Sequence, residues 1–209
     1  MATDARSPDE LPVPSRRPSV LWLAVLIIVA ASAIWRFVPS WSGLEPATAV
    51  IGGPFALTDP SGHAVTEASL AGKPFAIFFG YTHCPDVCPT TLSDMTDWLK
   101  ALGPDADKLR LVFVTVDPAR DTPSALGDYM KAFDSRILAL TGSEDAIAKT
   151  LLAYRVYAKK VEVKGDNYSM DHTAAVYLMD RDGKLHALIG YGEKPEASLA
   201  KLRELVGLG

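Results

Sequence analysis

The run KPFAIFFGY, residues 73–81, is apolar at consecutive positions rather than alternate ones. A strand of that kind has both faces covered and belongs in the middle of a sheet with helices on either side. It runs straight into a segment, DVCPTTLSDMTDWLKAL, whose apolar residues recur at helical spacing. Cys84 and Cys88, the only cysteines in the chain, sit at this junction. Spacing of i, i+4 on a helix puts both sulfurs on one face, one turn apart. Such a pair either closes into a disulfide or binds one soft metal ion.

The remaining pattern fixes the fold class. FALTDPSGHAVT reads as an N-terminal β-hairpin around a Pro-Ser-Gly turn. LRLVFVTVD (109–117) is a second fully apolar strand, followed by a helix near 122–134 with Thr122 as cap and Pro123 at its first position. ILALT is a short strand, and SEDAIAKTLLAYR a helix capped by Ser143. VYAKKVEVKGDNYSMDH is extended and polar, an excursion from the sheet. TAAVYLMD and LHALIGY form a hairpin about RDGK, and KPEASLAKLRELVGL is a closing helix. This order predicts an α/β domain, a thioredoxin-like central mixed sheet flanked by helices. In that arrangement paired cysteines stand at a strand's C-terminal end, on the N-terminus of the next helix. The helix dipole there favours thiolate over thiol.

Ahead of the domain, residues 1–19 are polar and proline-rich and read as a disordered cytoplasmic tail. VLWLAVLIIVAASAIW, residues 20–35, carries no charge. Extended to residue 38, with Arg36 snorkelling outward, it approaches the ~30 Å hydrocarbon thickness and predicts a transmembrane anchor over 20–38. Trp22, Trp35 and Trp41 flank the run as interface anchors do. Residues 39–50 then form a linker, and 51–209 the folded domain. Arg6, Arg16 and Arg17 precede the span, and after Arg36 no Lys or Arg appears until Lys73. That asymmetry predicts a single-pass protein of the bacterial inner membrane, N-terminus cytoplasmic, domain in the periplasm. A signal peptide cut after Ala31-Ser32-Ala33 is the alternative; the apolar run continues past that site and favours the uncut anchor. The net charge of −4 gives no reason to expect nucleic acid as a partner.

Either reading places the cysteines in an oxidising compartment, where a lone pair is usually a structural disulfide. A bridge closing about five residues contributes only about 2 kcal/mol, against about 5 for a hundred-residue loop. A chain with an ample core has little need of so short a staple, so the pair is read as chemical. A redox thioredoxin has two residues between its cysteines; three stand here, which loosens disulfide geometry and still suits chelation. A third ligand is then sought among four histidines. His63 lies in the first hairpin turn, His83 adjoins Cys84 and points away, and His186 alternates to the surface. His172, directly before the strand TAAVYLMD, occupies the place where a thioredoxin-type sheet passes its cysteines. No proline stands between Pro123 and Pro195 to supply the cis-proline of an oxidoreductase. Two thiolates and one imidazole suit Cu(I) and, with a further donor, Cu(II); zinc wants a fourth ligand that is not evident.

GYTHCPDVCPTTL, VTVDPARDTP and the Asp-His of SMDHTAAVYLMD together resemble the Sco/SenC family of copper proteins, over roughly residues 50–207. The resemblance implies a thioredoxin-like fold and one copper bound by Cys84, Cys88 and His172, the cysteines forming a disulfide when oxidised. It implies a role in assembling the dinuclear copper (CuA) centre in subunit II of cytochrome c oxidase, by delivering copper, by reducing the target's cysteines, or both. The first makes the chain a metallochaperone, the second a thiol–disulfide oxidoreductase, with a periplasmic copper donor or thiol reductant as a further partner. Three residues are expected around the site. Asp171 would orient the histidine through a hydrogen bond or stand as a solvated loop acid, Asp117 would tune the site, meet the partner or cap its loop, and Tyr81 would wall the site or simply pack.

Overall fold

The computed structural model describes residues 20–37, 50–163 and 167–208; the expected tail over 1–19 and nearly all of the linker lie outside these. The chain divides into two units, Met1–Thr48 and Ala49–Gly209. In the first, α1 (Val20–Phe37) is an 18-residue helix whose described side chains, Trp22 to Arg36, are exposed. Among the described residues no helix is long and apolar enough to cross a membrane.

The second unit is built on a five-stranded mixed sheet of β3 (Phe75–Gly80), β4 (Arg110–Thr115), β5 (Ile137–Leu140), β8 (Ala175–Met179) and β9 (Leu185–Gly190), in the order β5-β4-β3-β8-β9. β3, β4 and β5 run parallel; β8 and β9 are antiparallel to their neighbours. All six residues of β3 are buried, as its unbroken apolar run requires of a central strand. The helices α3 (Val87–Leu102), α4 (Pro123–Met130), α5 (Glu144–Ala153) and α6 (Pro195–Leu205) pack around it, and the four-residue α2 (Glu67–Leu70) precedes β3. Helix α3 buries Cys88, Leu92, Met95 and Leu99 at the three- and four-residue spacing that carries one face into a core. The N-terminal hairpin, β1 (Ala56–Thr58) and β2 (Ala64–Thr66), joins β5's end through the bridge between Thr58 and Thr141. This is the expected thioredoxin-like architecture.

The predicted caps are in place. Thr122 Oγ1 accepts from the Ala125 N–H at 3.3 Å, with Pro123 opening α4, and Ser143 Oγ accepts from the Ala146 N–H at 3.2 Å. One expectation needs correction. Helix α4 stops at Met130, not near 134; the chain turns there, and the Asp134 N–H is taken by Thr96 Oγ1 of α3 at 3.2 Å. The polar excursion is a hairpin of its own, β6 (Ala158–Glu162) paired antiparallel with β7 (Tyr168–His172), outside the main sheet.

Candidate metal centre

Strand β3 ends at Gly80, whose carbonyl accepts from the Val116 N–H at 2.7 Å. A methyl group there would stand 2.8 Å from Cys88 Sγ and 2.9 Å from Phe113 Cε2. Only glycine lets the first turn of α3 lie so close to the sheet. The loop from Tyr81 to Asp86 is then tied down by Asp121, a fully buried carboxylate. It accepts from the Thr82 N–H at 3.1 Å, from Thr82 Oγ1 at 2.6 Å and from Thr115 Oγ1 at 2.6 Å. A buried carboxylate is tolerable only when hydrogen bonds replace its water, and these do so.

Cys84 is not on the helix with Cys88, as the i, i+4 reading has it. It lies in the loop before α3, and Cys88 is the helix's second residue. The sulfurs are one turn apart all the same, because the Cys88 N–H donates to Cys84 Sγ at 3.3 Å. The side chain of Asp86, the N-cap residue, makes no cap bond, so Cys84's sulfur receives a helix N–H instead. Cys84 is half-buried and Cys88 fully buried. The two are free thiols that share a proton unequally. The Cys88 S–H bonding to its sulfur, then the backbone N–H groups of Asp86 and Cys88, hold Cys84 far below the ordinary thiol range. That same bond, then burial, pushes Cys88 far above it. Cys84 is the thiolate and Cys88 the proton holder.

His172 arrives from the other side, as the last residue of β7 rather than on a loop. Its Nε2 is 3.5 Å from Cys88 Sγ. Its Nδ1 is 3.1 Å from the Thr173 carbonyl oxygen. A carbonyl only accepts, so the proton sits on Nδ1 and the Nε2 lone pair faces the sulfurs. The ring packs edge-on against Tyr81, centroids 5.7 Å apart at 89°. One ligand atom from each of Cys84, Cys88 and His172 falls within 4.8 Å of the others, and among the described residues no other metal-competent group of three is found. Two soft sulfurs and one imidazole nitrogen at this spacing fit a soft, low-coordinate ion.

The other expected residues are sorted by the geometry. Tyr81 walls the site and is itself fixed by a 2.9 Å bond between its Oη and Ser169 Oγ. Asp117 is buried and touches neither sulfur. It accepts from Tyr168 Oη at 2.8 Å and from Arg120 Nε, while Arg120 Nη1 reaches the Tyr168 carbonyl at 2.9 Å and its guanidinium lies 3.7 Å over the Tyr168 ring. Asp117 therefore clasps the hairpin that carries His172. Asp171 does not orient the histidine: side chains alternate along a strand, Asp171 is exposed, and Nδ1 bonds Thr173 instead. His83 is exposed and bonds Thr82 Oγ1 at 3.0 Å, His63 pairs with Asp59 at 3.1 Å, and His186 lies near Glu204, 3.7 Å away. Gly80, Asp121 and Arg120 were not picked out from sequence. The only signal was VTVDPARDTP, which holds two of them without distinguishing Asp121 from Asp117.

Comparison with known proteins places this arrangement. The SCO1/SenC family profile matches residues 44–207. The copper-bound ScoI structure of Bradyrhizobium japonicum is 52% identical, with a TM-score of 0.70 over 74% of this chain and 99% of that one. Copper-bound yeast Sco1 is 38% identical, with a TM-score of 0.70 over 76% of this chain and 89% of that one. The mitochondrial SCO2 protein of Saccharomyces cerevisiae is 38% identical over 159 residues, 75% of this chain. The match spans 53% of that relative, about half its length. The chain belongs to the SCO1/SenC family.

Proposed function

We propose that this chain is a membrane-anchored copper chaperone. It binds one copper ion, its cargo, through Cys84 Sγ, Cys88 Sγ and His172 Nε2, and helps assemble the CuA centre in subunit II of cytochrome c oxidase. The observation that carries the reading is the convergence of these three ligand atoms within 4.8 Å, with the imidazole proton parked on Nδ1. The copper in the similar ScoI and Sco1 structures supports it. The test is anaerobic Cu(I) loading of the reduced protein and of His172→Ala, read by metal analysis and by competition with a chromogenic Cu(I) chelator. One copper per reduced chain, none held tightly after oxidation of the pair, and a marked loss of affinity in the variant are expected. Equal copper in oxidised and reduced protein would sink the reading.

The uncharged run over 20–35 and the arginine asymmetry support an anchor in the bacterial inner membrane with the domain in the periplasm. A phosphatase fused after Gly209 is active only on that side, and N-terminal sequencing separates anchor from cleaved signal.

A second reading has its own observation: Cys84 is the more exposed of the two sulfurs, and its Sγ accepts the Cys88 N–H at 3.3 Å at the start of α3. Cys84, half-exposed and ionised, is placed to attack a disulfide of the oxidase subunit. One partner sulfur leaves as thiolate and takes up a proton. Cys88 then gives up its proton and attacks Cys84, so the partner ends as a dithiol and the chain as a Cys84–Cys88 disulfide. Deletion cells starved of copper separate the two: added copper restores oxidase activity if delivery is the task, and a membrane-permeant reductant if thiol reduction is.

A further inference from the structure

Beside the cysteine corner, between α3, the β8–β9 hairpin and α6, lies an open groove of about 290 Å³. It touches the copper-ligand elements directly: Thr91, one turn beyond Cys88, and Ala174, two residues beyond His172, both line it. Its floor is apolar, from Trp98, Val176, Ile189 and Leu199. Tyr191, on its wall, is an exposed aromatic. Four carboxylates, Asp94, Asp97, Glu193 and Glu196, line the groove, and no basic residue does. Asp97 is paired with Lys100 and Glu193 with Lys201, each at 2.8 Å, but among the described residues Asp94 and Glu196 form no ion pair. Partial burial and then the neighbouring Asp97 raise the Asp94 carboxyl above its ordinary value, so a cation arriving there relieves an existing cost.

The volume falls at the small end of ligand sites, too small for a cofactor and right for an anchoring side chain. A flat aromatic wall with unpaired carboxylates above an apolar floor selects among side chains. A guanidinium stacks flat on rings and bonds carboxylates in a fork, its three methylenes covering the floor; an ammonium covers the floor but meets ring and carboxylate only as a point charge. Arginine is also among the residues that dominate interface energetics.

We propose that this groove seats an arginine side chain of the protein partner that faces the Cys84–Cys88–His172 site. The partner is thereby held with its own sulfurs beside the cysteine corner. This rests on the reading that the site serves a protein client, and it holds for delivery and for thiol reduction alike.

The test uses the full chain in detergent micelles, copper-free, so that its outcome does not depend on metal binding. The probes are the capped pentapeptide Gly-Leu-Arg-Leu-Gly and the same peptide with citrulline, the neutral isostere of arginine. The readout is the NMR signals of the Trp98 indole and of Tyr191. The arginine peptide is expected to shift both saturably, and roughly tenfold more weakly with citrulline or in the double variant Asp94→Asn, Glu196→Gln. Equal shifts by the two peptides would leave an unselective apolar surface and overturn the proposal. No shift at millimolar excess overturns it too, as does loss of these signals with rising protein concentration alone, which would assign the groove to a second copy of the chain. In cells, the double variant should lower oxidase activity while the purified protein still takes up one copper. Normal oxidase activity with normal copper uptake refutes the groove; failure of copper uptake in the unaltered protein refutes the chaperone reading instead.

Discussion

The cysteine corner and the histidine arm meet at one site but are made differently. The corner is an extension of the core: Cys88, Thr115 and Asp121 are shut from solvent, and the loop between Gly80 and α3 is bonded to Asp121, which Thr115 at the end of β4 holds in turn. The arm is a two-stranded hairpin outside the main sheet, with four of the five residues of β6 exposed. A two-stranded hairpin is marginal by itself. This one is held by Tyr168 and Arg120 on Asp117, by Ser169 on Tyr81, and by the Tyr157–Thr173 backbone bond at its base. The sulfurs are thus fixed before any ion arrives, whereas the nitrogen is placed by a few removable bonds.

The comparison breaks first at Gly80. In Gly80→Ala the added methyl meets Cys88 Sγ and the Phe113 ring under 3.0 Å, between parts that are fully buried and cannot move aside. Overpacking of this kind costs about 1–3 kcal/mol. Urea unfolding should show that loss, and Cu(I) competition should show weakened binding with it. A variant as stable and as tight as the parent would mean the corner yields as readily as the arm.

Next in size is the difference between the two thiols. Cys84 is depressed and Cys88 raised, so at pH 5.5, where an ordinary thiol is protonated, Cys84 is already thiolate and Cys88 is not. Iodoacetamide should then modify Cys84 faster by more than roughly tenfold, read by peptide mass spectrometry. Raising the pH to 8 should add little for Cys84, since its ionisation is complete. Equal labelling at pH 5.5 would show that the proton is not held by Cys88.

The arm is tested at Tyr168. Tyr168→Phe removes the hydroxyl bonded to Asp117 and keeps the ring under Arg120. Stability should fall by about 1 kcal/mol. Copper affinity should fall roughly tenfold, the low end for residues that orient a ligand. Dispersal of the His172 ring signals in the apo variant would be the sign that placement, not ligand chemistry, was lost.

Sequence made the corner legible because its parts are neighbours in the chain. A doubly apolar strand, two cysteines and a helical period follow one another within residues 75–102. His172 was legible by place, since the segment entering β8 must pass the end of β3. What stayed hidden depends on contacts made across the fold. Asp121 is an acid in a polar loop until three neutral donors from two segments close on it. The hairpin β6–β7 has little apolar alternation, because it packs one face only lightly and exposes the other. Gly80 is one of fifteen glycines, and its necessity appears only when the Cys88 sulfur is seen above it.

Asp171 provides the smallest effect and the sharpest distinction. It is the sequence neighbour of His172, and adjacency suggested that it orients the ring. On a strand the neighbour faces the other way, and Asp171 stands exposed opposite Lys159 of β6. The ring's Nδ1 proton is already committed to the Thr173 carbonyl, a backbone group that no substitution of Asp171 removes. Asp171→Ala should therefore change stability and copper binding by less than about 0.5 kcal/mol each, the usual range for an exposed site without special contacts. Chelator competition run side by side with Tyr168→Phe gives the ranking directly. If the residue next to the ligand matters less than one four positions away, the histidine is held through the clasp on Asp117. If Asp171→Ala is the more damaging, the arm is set by charge around the ligand, and the separation drawn between a fixed corner and a clasped arm fails at the arm.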